Sequence, residues 1–219
     1  WLEVCCNPDK RGAVHICNLY TTRRSADEVR QTFAARDRTG NTAWTTDVYP
    51  DRLAPIIRHG DDGPEIVQAR WGMPTPPKYL PASGRDSGVT NIRNVGSPHW
   101  RRWLGPEHRC LVPVLRFSEP GKDHKPAWFE PADGEPIFFA GIETRDWTSI
   151  RKVKDGETTD DLSGFLTCPP NAEVGAIHPK AMPVILTKPA EWDTWLNAPW
   201  DVARLLQRPL PDAALRLIG

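Results

Sequence analysis

Four side chains in this sequence have the types needed for a covalent site: a thiol at Cys17, an amide at Asn91, a carboxylate at Glu119 and an imidazole at His178. Cys17 opens the run Cys17-Asn18-Leu19-Tyr20, and Asn91 sits in Thr90-Asn91-Ile92-Arg93-Asn94. Glu119 follows the segment Arg109-Cys110-Leu111-Val112-Pro113, and His178 lies in Ile177-His178-Pro179-Lys180-Ala181-Met182-Pro183. Each has an ordinary explanation when taken alone. A lone cysteine is more often a small buried hydrophobe than a nucleophile. A glutamate ahead of Pro120-Gly121 is usually a solvated turn residue. A single histidine is more often structural, although the proline after His178 holds it extended and out of a helix. An imidazole with an intrinsic pKa of about 6.5 is suited to proton transfer near neutrality, and burial of a carboxylate favours its protonated form.

A second feature is local charge. Arg85, Arg93, Arg101, Arg102 and Arg109 fall in one stretch opposed only by Asp86 and Glu107, with Trp100 and Trp103 interleaved. Positive charge beside aromatic rings is what a single-strand nucleic-acid groove needs, since charge follows the backbone and rings accept bases. The plainer alternative is a solvated face, with Trp100 and Trp103 in the core.

Short elements must position these residues. Ser25 with Glu28 three residues later is a capping box, and Val29 with Phe33 shares a face, which predicts a helix over 25–35. Alternation of Val67, Ala69 and Trp71 predicts a strand over 65–71. Residues 73–88 are rich in Pro and Gly and read as a long loop of the kind that often carries function. The apolar runs 109–113, 137–142 and 165–168 read as core strands, the polar stretch 152–163 as a hairpin or loop, and 184–186 as another short strand. Pro189 suits a helix start, with Trp192, Trp195 and Leu196 on one face, and a last short helix is expected over about 201–207. Residues 1–16 show no periodicity, and a disordered tail, a propeptide and translation from upstream of the true start are all open.

Composition bounds the rest. A chain of 219 residues supports one sizeable domain with its own core. The 23 prolines argue against a helical bundle, so one α+β domain is expected. The net charge of zero means that any basic surface is local. Five cysteines without a CxxC pair predict reduced thiols and no zinc site. No apolar run reaches the roughly 18 residues of a membrane span, and Trp1-Leu2-Glu3-Val4-Cys5-Cys6 does not read as a signal peptide.

The ordered set of segments around Cys17, Asn91, Glu119 and His178 resembles the SOS-response-associated peptidase (SRAP) family, from Cys17 to about Asn197. The resemblance implies a single domain of mostly antiparallel strands in a curved or barrel-like core with flanking helices. It implies that Cys17 becomes the N-terminus, that Asn91 orders it, that Glu119, six residues after Pro113, relays protons, and that His178 is the catalytic histidine. Arg93 is expected to hold a phosphate, with Arg85, Arg109, Trp71, Trp100 and Trp103 completing the DNA-binding set. Trp71-Gly72-Met73 matches the family's W-G-(L/M) segment.

The implied activity is covalent capture of abasic sites in single-stranded DNA. A terminal amine, titrating at about 7.7–8.0, condenses with the sugar aldehyde, and the thiol closes a thiazolidine ring. β-Elimination from the imine would give lyase activity. The expected partner is single-stranded DNA containing abasic sites, with no metal, organic cofactor or membrane, in a monomer. The expected compartment is the cytoplasm, at the nucleoid when bound to DNA. Two departures from the family pattern stand out: residues 1–16 precede Cys17, and Cys17-Asn18-Leu19 replaces the C-G-R of many members, leaving Arg23 or Arg24 as substitutes for that arginine. An autopeptidase that releases residues 1–16 through Cys17, with Glu119 and His178 as acid–base partners, is the nearest rival. A non-catalytic single-strand binder is the rival from another class.

Overall fold

Apolar runs bounded by Pro, Gly and Asp become the staves of a small barrel. A computed structural model describes residues 19–22, 26–40, 47–121 and 125–218. In chain order the elements are β1 (Leu19–Thr21), α1 (Ala26–Phe33), β2 (Arg36–Asp37), β3 (Asp47–Val48), β4 (Leu53–Gly60), β5 (Gly63–Trp71) and β6 (Asn91–Ile92). There follow β7 (Arg109–Val114), β8 (Arg116–Pro120), β9 (Pro126–Pro131), β10 (Ile137–Lys152) and β11 (Gly156–Cys168). The chain ends with α2 (Ala172–Gly175), β12 (Met182–Pro183), β13 (Ile185–Leu186), α3 (Pro189–Asn197), α4 (Trp200–Ala203) and β14 (Leu215–Ile218).

Five strands close on themselves. β4 and β5 form a hairpin whose last pair is Gly60 opposite Gly63, so Asp61 and Asp62 make the turn. β4 pairs antiparallel with β7 through Ile57 and Leu111. β7 pairs with β10 along its whole length, and β10 with β11. A parallel pairing of β11 with β5, Leu162 opposite Arg70 and Ser163 opposite Trp71, closes the ring. A second sheet, in the order β14-β9-β8-β1-β3, packs beside the barrel. It shares the core through Tyr20, Phe117 and Phe129. The described residues thus form a single α+β domain of mostly antiparallel strands around a closed five-stranded barrel, with four short helices among them.

Most expected elements are present with longer or shorter bounds. The helix expected over 25–35 is α1, and Ser25 of its capping box lies outside the described residues. The strand expected over 137–142 continues to Lys152. Beyond the core it pairs with β11 as a two-stranded ribbon, with Trp147 opposite Asp160 and Thr148 opposite Thr159. Most of the ribbon's side chains are polar, so apolar periodicity does not reveal it. The polar stretch 152–163 is the tip and return arm of that hairpin.

An ionic network crosses the barrel wall. Arg58 of β4 donates to Glu65 of β5 at 2.9 Å, Glu143 of β10 at 3.2 Å and Asp161 of β11 at 2.7 Å. Glu143 is fully buried, and Arg145 reaches its other oxygen at 2.9 Å. Burial alone would lower the Arg58 pKa, but Glu143, Glu65 and Asp161 outweigh it and raise it. Removing one partner from such a set strands the remaining buried charge. Arg58→Met is therefore expected to cost about 3–5 kcal/mol of stability, read as a lower denaturation midpoint in urea at unchanged slope.

Candidate active site

Cys17 and Asn18 lie outside the described residues, as do residues 1–16 and Arg23 and Arg24. The description therefore begins two residues after Cys17, at Leu19, where β1 enters its sheet. Leu19 lies opposite Ser118 of β8, so Glu119 is the next residue of β8 on the side from which β1 is entered. The Glu119 side chain is closed off from solvent, at 1% exposure. Burying a carboxylate is costly, and such groups cluster where proton chemistry is done. Glu119 is therefore not the solvated turn residue that Pro120-Gly121 alone would indicate.

Tyr20, the next residue of β1, turns into the core. Its ring meets Trp71 at 5.0 Å, Phe139 at 5.8 Å and Phe165 at 6.1 Å, all edge-on. Trp71 stacks on Phe165 at 5.2 Å. Phe165 pairs with Asn91 of β6. This aromatic group therefore ties the start of β1 to the strand that carries the asparagine.

Asn91 is held from its neighbour Thr90. The Thr90 hydroxyl accepts from the Asn91 amide at 3.0 Å, and the Thr90 carbonyl accepts from the Trp71 indole N–H at 3.1 Å. Upstream, the proline-rich loop 73–88 is pinned at both ends. Met73 and Val89 exchange backbone hydrogen bonds at 2.9 and 2.8 Å. Buried Asp86 accepts from Thr75 N, Thr75 Oγ1 and Gly88 N. Arg151 of the ribbon donates to the carbonyls of Gly72 and Asp86. Gly88, at φ +79°, passes so close that a Cβ there would lie 2.4 Å from the Arg151 guanidinium and 2.8 Å from Gly72 Cα. Arg151 is a strut that the sequence does not announce, because Arg151-Lys152 reads as an exposed basic pair.

His178 is placed by the end of α2. Asn171 caps that helix by accepting from Val174 N at 3.2 Å. The His178 amide then donates to the Val174 carbonyl at 2.7 Å, and Pro179 stops the turn. Met182 anchors the segment, with its sulfur accepting from Asn171 N at 3.3 Å and its backbone pairing with Cys168. β6 and β12 thus flank the last four residues of β11 from opposite sides, with Phe165 and Leu166 beside β6 and Thr167 and Cys168 beside β12. Asn91 and His178 are both 7% exposed. Three polar side chains from distant parts of the sequence are therefore enclosed: Glu119 on β8, which pairs with β1, and Asn91 and His178 on segments joined to the end of β11.

The expected DNA-binding set divides. Arg85 and Arg93 are exposed, with Arg85 Nε donating to the Arg151 carbonyl at 3.3 Å. Trp71, Trp100 and Trp103 are core residues, at 1%, 4% and 2% exposure. Their faces are occupied by protein: Trp71 by Phe165, and Trp100 and Trp103 by each other and by His99. A ring closed in this way has no face for a base, so these three are reassigned to packing. Arg109 is likewise fully buried. It donates to the Ala198 carbonyl and lies 5.6 Å from the Trp195 ring centroid. Burial pulls its pKa down to about 10, against the field of Glu107. Its signal was its place at the head of a core strand, ahead of Cys110-Leu111-Val112. Arg109→Met should accordingly leave any single-strand DNA affinity and its salt dependence at parental values, checked by a binding titration over a salt series.

Among the described residues, no three of His, Cys, Asp and Glu are placed to hold a metal ion. No helix among them is long and apolar enough to cross a membrane.

Residues 16–218 match the family model described as SOS response associated peptidase (SRAP). The chain is similar in fold to a structural-genomics protein from Bordetella bronchiseptica, at 24% identity and a TM-score of 0.69, over 93% of this chain and 100% of that one. A protein from Bacteroides thetaiotaomicron gives 20% identity and a TM-score of 0.73, over 93% and 92% of the two chains. A phage-related protein from Bordetella bronchiseptica gives 16% and 0.64, over 92% and 93%. No curated protein matches the chain.

Proposed function

We propose, from the premise that this chain belongs to the SOS response associated peptidase family, that it binds single-stranded DNA and captures abasic sites covalently through Cys17. The observation that carries this reading is the burial of Asn91, Glu119 and His178, with Glu119 on β8, the strand paired with β1, whose first residue, Leu19, is two residues from Cys17.

The chemistry runs in three steps. His178 protonates the ring oxygen of the deoxyribose that has lost its base while the C1 hydroxyl gives its proton to water, and the sugar opens to an aldehyde. The Cys17 amine adds to the aldehyde carbon, and water leaves to give an imine. The Cys17 sulfur then adds to the imine carbon while its proton passes to nitrogen, which closes a five-membered thiazolidine. Glu119 carries protons to and from the amine during the first two bond changes. Loss of a proton from the sugar carbon next to the imine would instead break the strand by β-elimination, the route to lyase activity. Arg93, exposed beside Asn91, supplies a fork for a backbone phosphate.

In the 219-residue sequence the Cys17 amine is tied in a peptide bond to Ile16. That supports a second, compatible reading, in which the Cys17 thiol attacks the Ile16 carbonyl, water resolves the thioester, and residues 1–16 leave with a free amine exposed on Cys17. The test is crosslinking by a form that begins at Cys17 against a homogeneous uncleaved 219-residue chain. The first is expected to form an adduct with abasic single-stranded DNA that survives denaturing electrophoresis. Equal crosslinking by the uncleaved chain would exclude the amine and with it the thiazolidine.

A further inference from the structure

Arg93 stands where β6 leaves the barrel. β6 pairs parallel with β11 at only two positions, Asn91 with Phe165 and Ile92 with Leu166, and then stops. The next carbonyls on the two sides, Arg93 O and Thr167 O, would have no rung between them. The side-chain amide of Gln207 occupies that place. Its nitrogen donates to Arg93 O at 2.9 Å and to Thr167 O at 3.0 Å. A primary amide has two hydrogens, one for each acceptor. Gln207 is itself fixed, following a 3₁₀ turn over Arg204–Leu206, with its backbone N–H donating to Arg204 O at 3.1 Å. Burial pushes the Cys168 thiol up to about 12, against the opposing charges of Arg93 and Arg208.

We infer that Gln207 is a positioning residue for Arg93: it replaces the missing rung between β6 and β11 and so fixes the direction in which Arg93 presents its guanidinium to a DNA phosphate. This rests on the reading of Arg93 as a phosphate contact. Gln207 lies 114 residues from Arg93 in sequence, on the C-terminal segment.

The test is equilibrium binding of a single-stranded oligonucleotide without an abasic site, over a salt series. The proteins are the parental chain, Arg93→Ala, Gln207→Met and the double variant. Methionine keeps the length of the side chain and removes both donors. Gln207→Met is expected to bind about threefold to tenfold more weakly. Its salt slope should move toward that of Arg93→Ala, which loses about 0.7 per phosphate contact on a single strand. In the Arg93→Ala background the same change should add no further loss. An equal loss in both backgrounds, or parental affinity for Gln207→Met beside an impaired Arg93→Ala, would overturn the inference and leave the phosphate reading of Arg93 standing. Parental affinity for Arg93→Ala would refute that reading, and the inference with it. Gln207→Glu, which keeps the shape but sets a carboxylate against two carbonyls, should reproduce the loss. Unfolding of both Gln207 variants would make the residue one of stability and overturn the inference.

Discussion

Cys17→Ser, in a form that begins at residue 17, is expected to lose the stable crosslink to abasic single-stranded DNA completely while retaining an imine that borohydride traps. Serine keeps the terminal amine, so condensation with the sugar aldehyde still proceeds. It lacks the sulfur that closes the ring, and an imine in water hydrolyses. The variant therefore separates the two functional groups that the proposed mechanism places on one residue. A denaturing gel with and without borohydride reads both. A stable adduct formed by the serine variant without reductant would place the linkage on another residue.

Glu119→Gln and His178→Ala should each slow crosslinking by about 10²- to 10⁴-fold, the usual contribution of a general acid or base, and they should fail differently. His178 is assigned to opening of the sugar. Its loss should slow capture of an abasic sugar while DNA affinity stays near parental. Glu119 is assigned to the amine, since β8 pairs with β1 at Leu19 opposite Ser118. Glutamine preserves volume and hydrogen bonding in that enclosed position but cannot take up or release a proton as a general acid or base. Its loss should slow imine formation, β-elimination and any release of residues 1–16 together. Single-turnover crosslinking against pH, measured beside DNA affinity, distinguishes the two. Parental rates for both variants, with Cys17 still essential, would remove both from proton transfer.

The fold was legible where the sequence is apolar and bounded. The runs 109–113, 137–142 and 165–168 are barrel strands because their residues are buried on both sides, and Pro189 does open α3. Strands of two residues such as β6 and β12 carry no periodicity, and the outer ribbon of β10 and β11 carries polar side chains. These are visible only as pairings. The same limit applies to side chains that serve either core or surface. Trp71, Trp100 and Trp103 are large, apolar rings with a polar edge, and composition cannot tell a base platform from a core residue. Their surroundings decide, and these are aromatic. Arg109 was misread because its charge drew attention from the core strand it heads. Arg58, Arg151 and Gln207 were invisible, since each earns its place through partners far off in sequence. The enclosure of Asn91, Glu119 and His178 could be expected only from the ordered resemblance to a family, because no local spacing relates them.

The most direct test of the central claim is to map the adduct itself. The form that begins at Cys17 is incubated with an abasic single-stranded oligonucleotide, the nucleic acid is trimmed to the sugar remnant, and the digested protein is sequenced by tandem mass spectrometry. The account predicts the sugar remnant on the N-terminal residue Cys17, stable without reductant, with neither a free α-amine nor a free thiol left on that residue. A remnant on any lysine, or on Cys110 or Cys168, or a Cys17 that still reacts with a thiol reagent, would contradict it.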